Sequence, residues 1–288
     1  MSIITNLEHT NNSSITKGPI GIFDSGYGGL TILNEIQKLL PEYDYMYLGD
    51  NARTPYGTRS FDVVYKYTLE CVTKLFEMGC ELVILACNTA SAKALRNIQQ
   101  RDLPHMDPNK RVLGVIRPTV EIINTITTSK HVGLLATAGT VQSNSYPLEI
   151  KKIDPEISVA SEICSMWVPL IENNEHKSDG ADYFVKKNLE NLLASDKNID
   201  TILLGCTHYP LLIDKIKKYL PEGITLVSQG ELVAQSLKGY LARHPEMDIK
   251  CSKGGQTKYF TTESVEKFSV SASIFMNGTI EAKHIDLG

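Results

Sequence analysis

The sequence predicts an α/β protein made of two α/β units, each a mainly parallel sheet flanked by helices. Three observations carry this prediction. Short apolar runs alternate with helical patterns along most of the 288 residues, the mark of βα units whose helices cover both faces of a parallel sheet. Most of the runs are apolar without alternation, as in strands buried on both sides. The length suffices for two ordinary domains with sizeable cores.

The elements follow in chain order. Residues 1–17 are rich in Asn, Ser and Thr and read as a disordered lead-in. They lack the basic region and apolar stretch of a signal peptide. Strands are placed at residues 19–24 (PIGIFD), 43–48 (YDYMYL), 82–86 (LVILA) and 112–116 (VLGVI). Over residues 61–78, Tyr65, Leu69, Val72 and Phe76 recur at spacings of four, three and four, which is one face of a helix. A boundary falls near Arg117-Pro118. Beyond it, strands are placed at 131–135 (HVGLL), 201–204 (TILL) and 225–227 (TLV), and helices at 211–220 and 231–243. A strand-like KYFTT (258–262) and a helical pattern at 265–276 close the chain and return to the first unit. The division is therefore 18–116 with 225–288 as one unit, and 117–224 as the other.

Composition narrows the function. Hydrophobic residues make up 42% and charged residues 22%, the balance of a soluble globular protein. A formal net charge of −4 argues against nucleic acid as the main ligand, since phosphate binding needs a basic surface. No apolar run approaches a membrane span. The six cysteines carry no C-x-x-C pair, which speaks against a metal site, and without an export signal they read as reduced thiols in the cytoplasm.

Two stretches stand out. In LVILACNTAS, an apolar strand runs into Cys87, Asn88 and Thr89; in TILLGCTHYP, another runs into Cys206, Thr207 and His208. A third strand ends in Asp24-Ser25. Ligands of open parallel sheets bind outside the carboxyl ends of the strands, where these residues fall. Helix N-termini follow each of them, with free N–H groups suited to a carboxylate and a field that favours thiolate. A cysteine taken singly is most often a small buried hydrophobe, the reading given to Cys71, Cys80, Cys164 and Cys251. The matched context of Cys87 and Cys206 points to chemistry instead. DSGYGGL fails both the G-x-G-x-x-G pattern and the P-loop, so its glycines are assigned to close backbone approach. Asp24 has a structural alternative as a helix cap, and the loop NARTPYGTRS, with Tyr56 and Gly57, is either a turn or a pocket wall.

Two thiols facing one carbon could remove a proton from one side and deliver one from the other, inverting the centre by general acid–base catalysis. Asp24 and His208 could accept a proton from one thiol each. Ser25, Asn88, Thr89 and Thr207 supply donors to steady a developing carbanion.

FDSGYGGLT, GDNARTPYG, ACNTASA and LLGCTHYP, in this order, resemble the glutamate racemases, and the likeness extends from about Gly18 through VPLIE and the tail YFTTES…HIDLG. The resemblance implies a cofactor-independent enzyme of two α/β domains, pseudo-symmetric, with the active site in the cleft between them. It implies Cys87 and Cys206 as the acid/base pair, with Asp24 assisting the first and His208 the second. Glu172 would act near Cys206, and Asp24, Ser25, Tyr56, Gly57, Asn88, Thr89, Thr207 and His208 would hold the substrate. The substrate would be L- or D-glutamate, the pathway peptidoglycan synthesis, the assembly a homodimer, with no metal, nucleic acid or membrane involved. Arg117, where many members have glutamate, and Ser228-Gln229, where many have Asp-Ser, depart from the pattern and bear on subunit contacts or regulation. An aspartate racemase is the nearest rival, disfavoured by His208 after Cys206-Thr207. A Cys–His hydrolase would leave Cys87 unexplained, and a pyridoxal phosphate enzyme would need a strand-end lysine that does not stand out.

Overall fold

The computed structural model describes residues 16–276, 278 and 280–287. The lead-in expected at 1–17 therefore lies, but for Thr16 and Lys17, outside the described residues. Among the described residues ten strands are formed: β1 (Ile20–Asp24), β2 (Tyr45–Gly49), β3 (Leu82–Leu85), β4 (Arg111–Gly114), β5 (His131–Ala136), β6 (Ser158–Ile163), β7 (Thr201–Gly205), β8 (Thr225–Val227), β9 (Thr257–Thr261) and β10 (Ala282–His284). They make two sheets, ordered β10-β9-β2-β1-β3-β4 and β6-β5-β7-β8. Every pairing between these strands is parallel.

The order β2-β1-β3-β4 in one sheet repeats as β6-β5-β7-β8 in the other. This places β1 in the position of β5 and β3 in that of β7, the same pairs whose ends look alike in sequence. In each half the chain order reverses beside β1 or β5, and such a reversal opens a crevice at the carboxyl ends of the strands.

β1, β2, β3 and β7 are buried along their whole length, as their unbroken apolar runs require. The helix Phe61–Glu77 starts where the Ser60 hydroxyl accepts from the Val63 N–H, and it buries Val64, Val72, Leu75 and Phe76. Each such side chain contributes about 1.5–3 kcal/mol by leaving water. The helix Gly29–Leu39 packs along the helix Gly230–Arg243, joining the segment after β1 to the segment after β8. The approach is close at Gly230, where a Cβ would meet Glu35 Cγ at 2.7 Å.

Several elements differ from expectation. β4 stops at Gly114, and Ile116 opens the helix Ile116–Glu121. β8 pairs with β7, so the division at 225 falls one strand too early; the chain rejoins the first sheet with β9. The pattern at 211–220 splits into a 3₁₀ turn, Tyr209–Leu212, and the helix Ile213–Tyr219. Pro210, in the first positions of that turn, cannot donate to a preceding carbonyl. β6 and β10 are edge strands with half-exposed, partly polar sequences, and neither has the apolar run used to find the others.

Candidate active site

The two crevices open onto one cavity of about 260 Å³, lined from the first sheet by Ser25, Cys87, Asn88 and Thr89 and from the second by Thr137, Cys164, Cys206, Thr207 and His208. Residues Thr54 to Thr58, with Tyr56 and Gly57, form a further wall, and Glu172 another. Asp24 sits behind Ser25, 1% exposed.

Asp24 ends β1. Its Oδ1 accepts from the Gly29 N–H at 2.9 Å, occupying an orphan donor at the start of the following helix. Its Oδ2 is buried without a hydrogen-bond partner. Burial pushes the Asp24 carboxyl up to about 6, against the pull of nearby His208.

Cys87 caps the helix Asn88–Lys93, its sulfur accepting from the Ala90 N–H at 3.5 Å. The Ser25 hydroxyl lies 3.3 Å from that sulfur, whereas Asp24 acts on it through charge. Burial, then the Asp24 charge, push the Cys87 thiol up to about 12 despite the Ser25 and Ala90 hydrogen bonds. The helix field therefore does not win, and Cys87 is a thiol at neutral pH.

Cys206 follows β7 and precedes the 3₁₀ turn Tyr209–Leu212, so no α-helix N-terminus stands directly beside it. The His208 ring is held at both ends. Its Nδ1 lies 3.8 Å from the Cys206 sulfur and its Nε2 lies 3.0 Å from Glu172 Oε1. Burial opposes the imidazolium, but Cys206 and Glu172 outweigh it and raise His208 to about 10. At neutral pH both ring nitrogens then carry protons. His208 Nδ1 is the ring atom that faces the Cys206 sulfur, where a proton can pass between the two. The Phe275 ring meets it edge-on, with centroids 5.2 Å apart.

Thr89 joins a group that the sequence reading passed over. Its hydroxyl lies 3.0 Å from that of Thr137 and 3.3 Å from that of Thr140. Thr137 follows β5 as Ser25 follows β1, and the strand-end run LLATAGT was its signal. Cys164, set aside as a core residue, follows β6 and lines the cleft; burial holds its thiol well above the ordinary range. Tyr56 gives its hydroxyl to Asp50 and presents only its ring. The Gly57 carbonyl accepts from the Gly139 N–H at 2.7 Å, and a Cβ on Gly57 would come 2.9 Å from Thr137 Cβ. The loop is thus pinned to the second half. Thr207 is tied back in turn, its carbonyl accepting from the Thr31 hydroxyl at 2.9 Å.

The two departures from the family pattern fare differently. Arg117 is exposed and paired with Glu121 at 2.8 Å, away from the cleft. Gln229 is 2% exposed and accepts from Asn88 Nδ2 at 2.5 Å, so it touches a cleft residue directly.

Residues 30–237 match the Asp/Glu/hydantoin racemase family. A glutamate racemase from Ruegeria sp. is 40% identical over 271 residues, covering 91% of this chain and 97% of its own. The chain belongs to the glutamate racemases. Another, from Listeria monocytogenes, is 36% identical and covers 94% of this chain and 99% of its own. Among solved structures, a glutamate racemase isoform from Bacillus anthracis superposes with a TM-score of 0.85 at 35% identity, over 94% of this chain and 98% of its own. The Francisella tularensis glutamate racemase, solved in complex with D-glutamate, gives 0.83 at 31% identity, over 93% and 97%. Like these, the chain is an isomerase of two-sheet α/β architecture. Among the described residues no helix is long and apolar enough to cross a membrane.

Proposed function

We propose that the chain interconverts L- and D-glutamate by two-base proton transfer between Cys87 and Cys206, without a cofactor. One observation carries this reading: two sulfurs, each at a strand end of a different sheet, line the same cavity. The substrate α-carbon sits between them. From L-glutamate, the basic form of Cys206 takes the α-proton while the Cys87 thiol delivers one to the opposite face. The C–H bond broken is matched by the C–H bond formed, and the two sulfurs exchange protonation states. D-Glutamate then reacts in the reverse sense, with Cys87 as base.

The resting protonation supports this direction, since Cys87 holds its proton at neutral pH. Asp24 is the nearby carboxylate that can receive the Cys87 proton when D-glutamate is bound. His208, steadied by Glu172, directs a proton at the Cys206 side. Ser25, Asn88, Thr89 and Thr207 offer hydrogen bonds to the substrate carboxylates, while Tyr56 and Gly57 shape the wall. Donors aimed at a carboxylate gaining negative charge in a water-poor cleft stabilise the carbanion-like transition state. The D-glutamate formed is assigned to peptidoglycan synthesis in the cytoplasm, and the working assembly to a homodimer.

The test is proton NMR of L-glutamate with the purified chain in D₂O, without added cofactor, followed by chiral separation. Loss of the α-proton signal with appearance of D-glutamate is the expected result. An unchanged α-proton in folded, reduced protein overturns the reading.

A further inference from the structure

Gln229 lies outside the cleft wall, yet it closes a ring of hydrogen bonds on a residue that lines it. Asn88 Nδ2 donates to Gln229 Oε1 at 2.5 Å, Gln229 Nε2 donates to the Tyr146 hydroxyl at 2.6 Å, and the Tyr146 hydroxyl donates to Asn88 Oδ1 at 2.7 Å. Each member gives to the next and takes from the last. All are out of water: Asn88 is 3% exposed, Gln229 2% and Tyr146 0%.

The sense of the ring is set by the backbone. Gln229 Nε2 also faces the Val115 carbonyl at 3.3 Å and the Thr119 hydroxyl at 2.8 Å, and that hydroxyl already gives its proton to the Val115 carbonyl at 2.9 Å. A carbonyl accepts only, so the Gln229 end facing it has to be the amide NH₂. Gln229 Oε1 is thereby turned to Asn88, which has to answer with its own NH₂, and Asn88 Oδ1 is left for the Tyr146 proton. One Asn88 N–H is consumed by Gln229. Among the described residues the second has no hydrogen-bond partner, and it sits on a residue that lines the cavity.

We propose that Gln229, together with Tyr146, is a positioning residue that locks the Asn88 carboxamide with its second N–H presented to a substrate carboxylate. The ring also ties parts of both halves together. Asn88 follows β3 and Tyr146 lies on the helix Ser145–Ile153. Val115 and Thr119 belong to the passage between the sheets, and Gln229 precedes the helix Gly230–Arg243. Without the ring, the carboxamide can rotate and present its oxygen to a carboxylate, a repulsive contact. The inference rests on the glutamate reading of the cleft.

The test is steady-state racemisation by Gln229→Met, Asn88→Ala and the double variant, with thermal melts alongside. A hydrogen bond to a charged group sets the scale. Gln229→Met is expected to raise KM about tenfold or more, with a smaller fall in kcat. In the Asn88→Ala background the same change should raise KM less than about twofold, because the group it positions is gone. A merely structural role instead lowers the melting temperature and multiplies through both backgrounds equally. Should Gln229→Met fail to fold, Tyr146→Phe removes the donor to Asn88 Oδ1 with little change of shape and is expected to raise KM in the same direction but less, since Gln229 Oε1 still holds the Asn88 NH₂. An unchanged KM in the folded ring variants, or equal effects in both backgrounds, overturns the inference while wild type still racemises glutamate. An inactive wild type overturns the underlying reading.

Discussion

Replacing Glu172 by Gln tests the electrostatics of the Cys206 side most cleanly. Gln keeps an acceptor 3.0 Å from His208 Nε2, so the hydrogen bond survives and only the charge is lost. Removing an opposite charge at this range lowers a pKa by about 1–3 pH units. Glu172 is 20% exposed and His208 6%, so water screens the pair only in part. From about 10 in wild type, His208 should then titrate between about 7 and 9 in the variant. The sign for stability follows. The folded value lies above the ordinary 6.5, so His208 stabilises the fold fully below pH 6.5, and that contribution is lost as pH rises toward about 10. In Glu172→Gln the loss sets in at lower pH, and any alkaline limb of the rate governed by His208 moves with it. NMR titration of the His208 ring protons, assigned with His208→Gln, reads the value directly. A wild-type value near 6.5, or a variant still titrating near 10, would show that Glu172 does not hold the charge on His208.

Two further predictions follow from packing and burial. Asp24→Asn removes a carboxylate whose folded value of about 6 exceeds the ordinary 3.8, so the buried charge costs stability as pH rises through that window. At pH 8 the variant is expected to melt higher, by up to about 3 kcal/mol in calorimetry, while racemising at least about a hundredfold more slowly; an equally active variant would remove Asp24 from the mechanism. Gly57→Ala places a methyl 2.9 Å from Thr137 Cβ and forces the loop from the second half, with an expected loss of about 1–3 kcal/mol and a raised KM. A variant as stable as wild type by thermal melt would show that the loop gives way freely.

What the sequence discloses and what it hides divide along physical lines. β1, β3, β5 and β7 announce themselves because strands covered on both faces need unbroken apolar runs, and their polar endings then mark the cleft. β6 stays hidden because it is an edge strand whose SVASEI sequence is half exposed, and Cys164 after it is misread in consequence. β8 is assigned to the wrong sheet, since three residues state no partner. Asp24, Ser25, Cys87, Asn88, Thr89, Cys206, Thr207 and His208 lie where strand-end logic puts them. Their protonation is another matter, because burial depth and the Glu172 contact decide it, and neither is written in a local motif. Gln229 and Tyr146 are illegible for the same reason. They meet Asn88 across 141 and 58 residues of chain, and only the packing of the two halves brings them together.

The two-thiol mechanism is tested most directly by Cys87→Ala and Cys206→Ala, each followed in D₂O for α-proton exchange and, separately, for inversion from both enantiomers. The account predicts that neither folded variant interconverts L- and D-glutamate at a measurable rate. Racemisation by either one at the wild-type rate would contradict it.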